Sequence, residues 1–332
     1  MNSKFRLHGI ASTMVMVLVS FAMLPGKALA QADAAKDFPN RTLRLVVPLS
    51  AGGGNDIFAR VLGQNLSEIV KQPVVIDNKP GANGIIGTEF VAKASPDGYT
   101  LLVAPTGMMI SNPAVYAKLP YDTKRDFAPI TMISEFPLIL VVNGKSPIKS
   151  VRELVSYAKI NSAKANYASQ SVSFQLLNEM FKLRTGSPAV NISYKGGHDI
   201  LMAVTKGEVL YGISDSPPAF PLIKSGQVQA LAVGGSQRWP ELPNVPTFEE
   251  AGVKDANFRI WSGLFAPTAT PPAILAKLHA AATRALKAPD LVARFKKMRV
   301  EPAAMSREEF ARIIDEDLRQ SIETARALNI TM

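Results

Sequence analysis

Apolar and polar residues alternate along this chain in two rhythms. Short runs rich in Val, Ile and Leu mark strands, and longer stretches with apolar residues every three or four positions mark helices. In a first series, Leu43–Pro48, Val74–Asp77, Thr100–Ala104 and Ile130–Ile133 predict strands, with helices over Asp56–Val70 and Ile86–Ala94. A longer apolar run, Leu138–Val142, follows and is closed by Ser146-Pro147. The second series predicts strands at Asn166–Ala168, Val190–Ser193, Val209–Ser214 and Ala230–Gly234. Its helices are Val151–Ile160, Phe174–Leu183, Asp199–Thr205 and Ala219–Lys224. Arg259–Ala266 is a further apolar segment, and a proline-rich bend leads to amphipathic helices at Ala273–Leu286, Leu291–Lys297 and Arg307–Leu328. Strands alternating with helices predict α/β layers with mostly parallel sheets. Two series of roughly 100 residues each, a common domain size, predict two lobes with a cleft between them.

The N-terminus follows a different rule. Lys4 and Arg6 precede an apolar run from Ile10 to Leu24, broken only by Ser12, Thr13 and Ser20. Pro25-Gly26 ends that run, and Ala28-Leu29-Ala30 has the A-x-A form of a cleavage site. Residues 1–30 are therefore expected to be a signal peptide cleaved after Ala30, and the protein is expected in the periplasm. A membrane anchor is the rival reading, but the run falls short of the roughly twenty residues needed to cross a bilayer. The chain has no cysteine, so neither a lipoprotein anchor nor a disulfide framework is available. Cleavage would remove Lys4, Arg6 and Lys27 and no acid, taking the formal charge from +10 to +7. An exported chain without a Lys/Arg block is a poor nucleic-acid binder. A mildly positive field suits anionic small molecules instead.

The most informative segment is Leu43 to Arg60, an apolar strand, then Ala51-Gly52-Gly53-Gly54, then a helix opened by Asn55 or Asp56. Three glycines free the backbone and let a ligand approach bare N–H groups. The helix that follows aims its unpaired N–H groups and positive dipole end at the same spot, which favours a carboxylate or phosphate. The segment is not a P-loop, since no Gly-Lys-Ser/Thr follows, and Ile57 stands where a dinucleotide loop has its third glycine. A tight strand–helix turn without a ligand remains the alternative. In open α/β sheets ligands bind beyond the carboxyl ends of strands, so the loops Ser50–Asn55, Pro105–Met109, Ser169–Ser173, Lys195–His198 and Asp215–Pro217 are the ones to watch.

A catalytic set is missing. There is no G-x-S-x-G elbow, H-E-x-x-H pair or cysteine nucleophile. His279 lies among Ala and Leu, and His198 follows Gly196-Gly197 at a helix start, where a solvent-facing cap and a ligand contact are equally open. Asp215 ends a strand and can serve as ligand contact or helix cap. Asp315-Glu316-Asp317 reads as a solvated helix face. An exported hydrolase using Asp215 with His198 would lack a nucleophile. A binding protein without enzyme activity, cofactor or metal is the expectation.

A series of short motifs runs in order along the chain: Phe38-Pro39-Asn40-Arg41-Thr42-Leu43 and Ala51-Gly52-Gly53-Gly54-Asn55-Asp56, then Asn78-Lys79-Pro80-Gly81-Ala82-Asn83-Gly84 and Ser95-Pro96-Asp97-Gly98-Tyr99. Leu119-Pro120-Tyr121-Asp122, Asn166-Tyr167-Ala168-Ser169, Leu242-Pro243-Asn244-Val245-Pro246-Thr247 and Gly263-Leu264-Phe265-Ala266-Pro267 continue it. From Phe38 to about Ile330 the chain thereby resembles the Bug-type periplasmic solute-binding receptors of tripartite tricarboxylate transporters. The resemblance implies a two-lobed, type II Venus-flytrap fold, with residues 31–137 and 260–332 in lobe 1 and 138–259 in lobe 2. It implies a small organic carboxylate ligand: a di- or tricarboxylate, an acidic amino acid or an aromatic acid. The partners implied are inner-membrane transporter subunits, or alternatively a sensor kinase, with the receptor a monomer. Carried over by motif, lobe 1 would contribute Ala51, Gly52, Gly53, Gly54, Asn55, Asp56, Thr106, Gly107 and Met108. Lobe 2 would contribute Ser169, Ser173, Tyr194, Gly196 and Asp215.

Two loops depart from the family pattern. After Thr106-Gly107 the family usually reads His-Ala-Ile-Asn-Pro, where this chain has Met109-Ile110-Ser111-Asn112-Pro113. After Ala168-Ser169 the family loop carries glycines and a His, whereas here it is Gln170-Ser171-Val172-Ser173-Phe174-Gln175, about two residues shorter, with Gln175 at the place of the His. The expectation is a less polar pocket, lined by Met108, Met109 and Phe174, that favours an aromatic or otherwise apolar carboxylate.

Overall fold

The computed structural model describes residues 36–331 except Lys195, Gly196, Ser236, Asp255 and Asn257. The signal-peptide segment and Gly196 therefore lie outside the described residues. The chain opens with β1 (Leu43–Val47), α1 (Gly54–Val70), β2 (Val74–Asn78), α2 (Ile85–Ala92) and β3 (Thr100–Pro105). A π-helical turn at Gly107–Ser111 leads into short helices α3 (Asn112–Val115) and α4 (Thr123–Asp126), then the long strand β4 (Phe127–Asn143). The second series comprises α5 (Val151–Ile160), β5 (Asn166–Ser169), α6 (Val172–Thr185), β6 (Val190–Ser193) and α7 (Gly197–Lys206). It ends with β7 (Tyr211–Asp215), α8 (Ser216–Lys224) and β8 (Val228–Val233). The chain closes with β9 (Arg259–Pro267), α9 (Pro272–Leu286), α10 (Pro289–Lys297), β10 (Glu301–Pro302) and α11 (Arg307–Ala327).

Strand order is β2-β1-β3-β9-β4-β7-β5-β6, with β8 and β10 also paired to β4. The first half of β4 runs against β9, from Phe127 opposite Pro267 to Pro137 opposite Arg259. Its second half, Leu138 to Asn143, lies between β7 and β8. One strand thus belongs to two sheets. The sequence pattern predicted two separate runs here, Ile130–Ile133 and Leu138–Val142. The strand continues since β9 pairs along it, and register shifts between Pro129 and Thr131 and between Met132 and Ser134 absorb the irregularity. The expectation of mostly parallel sheets holds for β2-β1-β3 and β7-β5-β6. It fails in the middle, where β4 and β9 are antiparallel to their neighbours. They are the strands on which the chain passes from one sheet to the other and back.

Each sheet is covered on both faces, and side chains alternate accordingly. Leu43, Leu45 and Val47 face α1, α9 and α10, whereas Val46 faces the opposite layer with α2, the π-helical turn and α11. In the second sheet Leu138, Leu140 and Val142 pack toward α5 and α6, and Ile139 and Val141 toward α7 and α8. The last helix, α11, docks through Phe310, whose ring lies 5.1 Å from Trp261 and 5.4 Å from Phe265, centroid to centroid. Gly263 makes this possible, because a Cβ there would fall 2.4 Å from the Phe310 ring. Replacing this fully buried ring by alanine (Phe310→Ala) should cost about 3–5 kcal/mol in chemical denaturation. A loss below about 1 kcal/mol would mean that α11 is not held by this contact.

Candidate functional site

The carboxyl ends of β1, β3, β5 and β7 bring their loops toward the junction of the two sheets. At the end of β1, Ala51 to Gly54 form an exposed loop. Gly52 has φ of +84°, a conformation that favours glycine, and its N–H donates to the Asp56 carboxylate at 2.8 Å. Gly53 and Gly54 have no such conformational need. A Cβ on Gly53 would only touch the Ser50 carbonyl at 3.6 Å, and one on Gly54 would meet nothing within 4 Å. Gly53 is the N-cap of α1, a 17-residue helix, and supplies no side-chain cap. The N–H groups of the first turn therefore keep their unspent donors at the loop surface.

The predicted ligand residues Asn55 and Asp56 turn their side chains inward. Asn55 donates through Nδ2 to the Val103 carbonyl at 2.8 Å and accepts from the Ser262 hydroxyl, tying α1 to β3 and β9. Asp56 accepts from Gly52, from Arg60 Nε at 2.9 Å and from Asn78 Nδ2 at 3.0 Å. Burial pushes its carboxyl up, but the bonds from Arg60, Gly52 and Asn78 together hold it below the usual aspartate range. Asn78 also donates to the Leu49 carbonyl. These side chains brace the loop from beneath.

Next to the loop lies a cavity of about 440 Å³ between the sheets. Thr106, Gly107, Met108 and Ser173 all line it, as does Phe174. Gly107 and Ser173 meet across it, since a Cβ on Gly107 would stand 3.2 Å from the Ser173 hydroxyl. Thr106 Oγ1 accepts from the Trp261 N–H at 2.9 Å and donates to its carbonyl at 3.2 Å. Leu49, the last apolar residue before the glycine loop, also lines the cavity and joins the two features. Met109, expected in the lining, is instead fully buried in the core. Consecutive residues of a helical turn point in different directions, so Met108 faces the cavity while Met109 enters the packed layer beneath α11.

The other predicted residues sit apart from this cavity. The Ser169 hydroxyl is buried and donates to Asn191 Oδ1 at 2.7 Å. Tyr194 donates its N–H to the Ser169 carbonyl and packs against the layer of α7 and α8. Asp215 stands at the N-cap position of α8 without capping it. Burial raises its carboxyl to about 6, although a hydrogen bond from the Gln170 side chain works the other way. Among the histidines, His198 is exposed, and His279 Nε2 lies 3.0 Å from the Met305 carbonyl. No cluster of three or more His, Cys, Asp or Glu that could hold a metal occurs among the described residues.

Several lining residues gave no sequence signal: Leu177 and Met180 on α6, Phe258 to Ile260 at the start of β9, and Asp317 on α11. Asp317 was expected on a solvated face, and its neighbour Asp315 is indeed exposed beside Lys124. Asp317, by contrast, is half-buried, accepts from Trp261 Nε1 at 2.8 Å and lies 3.5 Å from the Arg259 guanidinium. Desolvation outweighs both partners and raises its carboxyl.

A family description, "Tripartite tricarboxylate transporter family receptor", matches residues 58–330. The chain belongs to this receptor family. BugT of Bordetella pertussis is 34% identical over 265 residues, 79% of this chain and 81% of that one. Rpa4515 of R. palustris, solved with adipate, superposes with a TM-score of 0.73 at 32% identity, over 89% of this chain and 99% of that one. MatC of Rhodopseudomonas palustris, solved with malate, gives 0.70 at 30% identity over 86% and 99%. These likenesses carry the two-lobed periplasmic-binding-protein fold, and as a tricarboxylate transporter receptor the chain is a solute-binding protein rather than an enzyme.

The Asp215 carboxyl of this receptor makes a pH test available. An unfolded aspartate loses its proton near pH ~4, whereas the folded one holds it to about 6. Between these values the native state binds more protons, so ionisation of Asp215 lowers stability as pH rises. Asp215→Asn should therefore gain on the parent from pH ~4 to ~6, by up to about 3 kcal/mol. The same difference in melting temperature at both ends would place the carboxyl in solvent.

Proposed function

We propose that this receptor is exported, its signal removed after Ala30, and that it captures a small organic carboxylate for delivery to membrane transporter subunits. The carboxylate lands on the N–H groups at the N-terminus of α1. The observation that carries this reading is the pair Gly53 and Gly54, exposed, uncapped and with room for side chains that the fold itself does not exclude. Bare glycine there is what a ligand approaching from outside requires. Gly107 from the same lobe and Ser173 from the facing lobe complete the hydrogen bonds, so that the charge is not left unpaired in a closed cleft. Similar receptors solved with adipate and malate support a carboxylate as ligand. In this reading residues 31–137 and 260–332 form one lobe and 138–259 the other. Closure hinges where β4 and β9 cross between the sheets, at Pro137 and Arg259.

A thermal-shift screen of the mature protein against aliphatic, amino-acid and aromatic carboxylates tests the reading. A true ligand at a hundredfold excess over its Kd stabilises by about 2.7 kcal/mol. Gly53→Val should abolish that shift while leaving the unliganded melting temperature close to the parent's, because the residue has extended backbone and space. Native affinity in Gly53→Val would put the anion elsewhere.

A further inference from the structure

The cavity beside the glycine loop holds a charged donor whose N–H is left over after the fold has formed. Most amide side chains on the wall already donate within the chain. Asn112 Nδ2 donates to the Asn83 carbonyl at 3.0 Å, Asn83 Nδ2 to Tyr116 Oη at 2.7 Å and Gln320 Nε2 to Glu316 at 3.2 Å. The Gln170 side chain bonds Asp215. Arg259, the one cation among the described lining residues, is different: its Nε is buried without a hydrogen-bond partner. Two acids flank its guanidinium, Glu135 at 3.8 Å and Asp317 at 3.5 Å. Both lie beyond the roughly 2.7–2.9 Å of a charge-assisted N–H···O bond. They offset the positive charge through space and leave Nε without an acceptor.

A buried donor without an acceptor is costly, and more so when it belongs to a charged group. Backbone pairing nevertheless fixes this one in place, because Arg259 opens β9 opposite Pro137 of β4. Leu49, which leads into the glycine loop, lines the same cavity. A ligand whose carboxylate rests on that loop therefore has its far end in the chamber that Arg259 lines. We propose that Arg259 is a specificity-determining residue, which reads the far end of the ligand through an oxygen acceptor, a carboxylate or a carbonyl, placed there. This rests on the carboxylate reading above and adds a second polar group to the ligand.

Calorimetric titration of the mature protein with two matched series tests this. Hexanoate, adipate and adipamate share one chain length, and p-toluate, terephthalate and 4-carbamoylbenzoate share one ring. Only the first acid of each series lacks a far oxygen. In at least one series an oxygen-ended acid should bind about tenfold tighter or more than its plain partner, as a hydrogen bond to a charged group would give. Arg259→Gln removes the charged donor, and Arg259→Lys keeps a cation between the two acids without an N–H at the Nε position. In each variant the advantage should shrink to about twofold or less, with the plain acid bound as in the parent. Equal affinities throughout both series in the parent, or an advantage that survives in a folded variant, overturn the assignment and leave the carboxylate receptor standing. An equal loss for plain and oxygen-ended acids would make Arg259 a structural residue and overturn it as well. If no acid of either series binds, the carboxylate reading and this inference fall together.

Discussion

The continuous pairing of β4 with β9 is the constraint on which the rest of the molecule depends. Because β4 spans 17 residues, its first half completes one sheet and its second half the other. Each sheet then needs its own pair of hydrophobic layers, and the described core residues divide accordingly. The crossing also decides where the functional loops go. Those after β1 and β3 come from one sheet, those after β5 and β7 from the other, and all reach the junction. Gly107 and Ser173 face each other there although they belong to different sheets.

The glycine loop illustrates how a rigid scaffold keeps hydrogen-bond donors available. An exposed loop could satisfy its own N–H groups by folding back on itself. Here Asp56 and Asn78 consume only the Gly52 N–H and the Leu49 carbonyl, and Asn55 anchors the helix start to β3 and β9. The loop is held in place from below while the first turn of α1 keeps its donors outward. Preorganisation of this kind lowers the ordering cost of binding a carboxylate.

Half-buried charge marks another part of the wall. Arg259, Glu135 and Asp317 meet where β4, β9 and α11 converge, and desolvation raises both carboxyls despite the shared guanidinium. Removing Arg259 would leave both carboxyls without their shared cation. The cluster ties the C-terminal helix to both crossing strands.

Much of this architecture was legible in the chain itself. Short apolar runs for strands, and apolar positions every three or four residues for helices, specified nearly every long element, because local burial pattern and local backbone preference agree there. The helix after the glycine loop was readable for the same reason, but its N-cap was not: Asn55 or Asp56 was expected to open it, whereas Gly53 is the N-cap and the helix starts at Gly54. The continuous β4 was not, since Pro129 and Pro137 are breaks by local chemistry and become strand residues only when β9 supplies a partner. The roles of Asn55 and Asp56 were also decided in three dimensions: their side chains turn inward because β2, β3 and β9 offer partners far away in sequence. Met108 and Met109 are neighbours of identical chemistry, and only the placement of their helical turn against β3 and α11 sends one to the cavity and the other to the core. Asp317, by sequence one acid of a solvated run, is a half-buried acceptor where Trp261 and Arg259 pack against α11. Local pattern determined which segments form strands and helices, whereas long-range packing decided which side chains face the cavity, because that depends on partners a linear sequence does not place side by side.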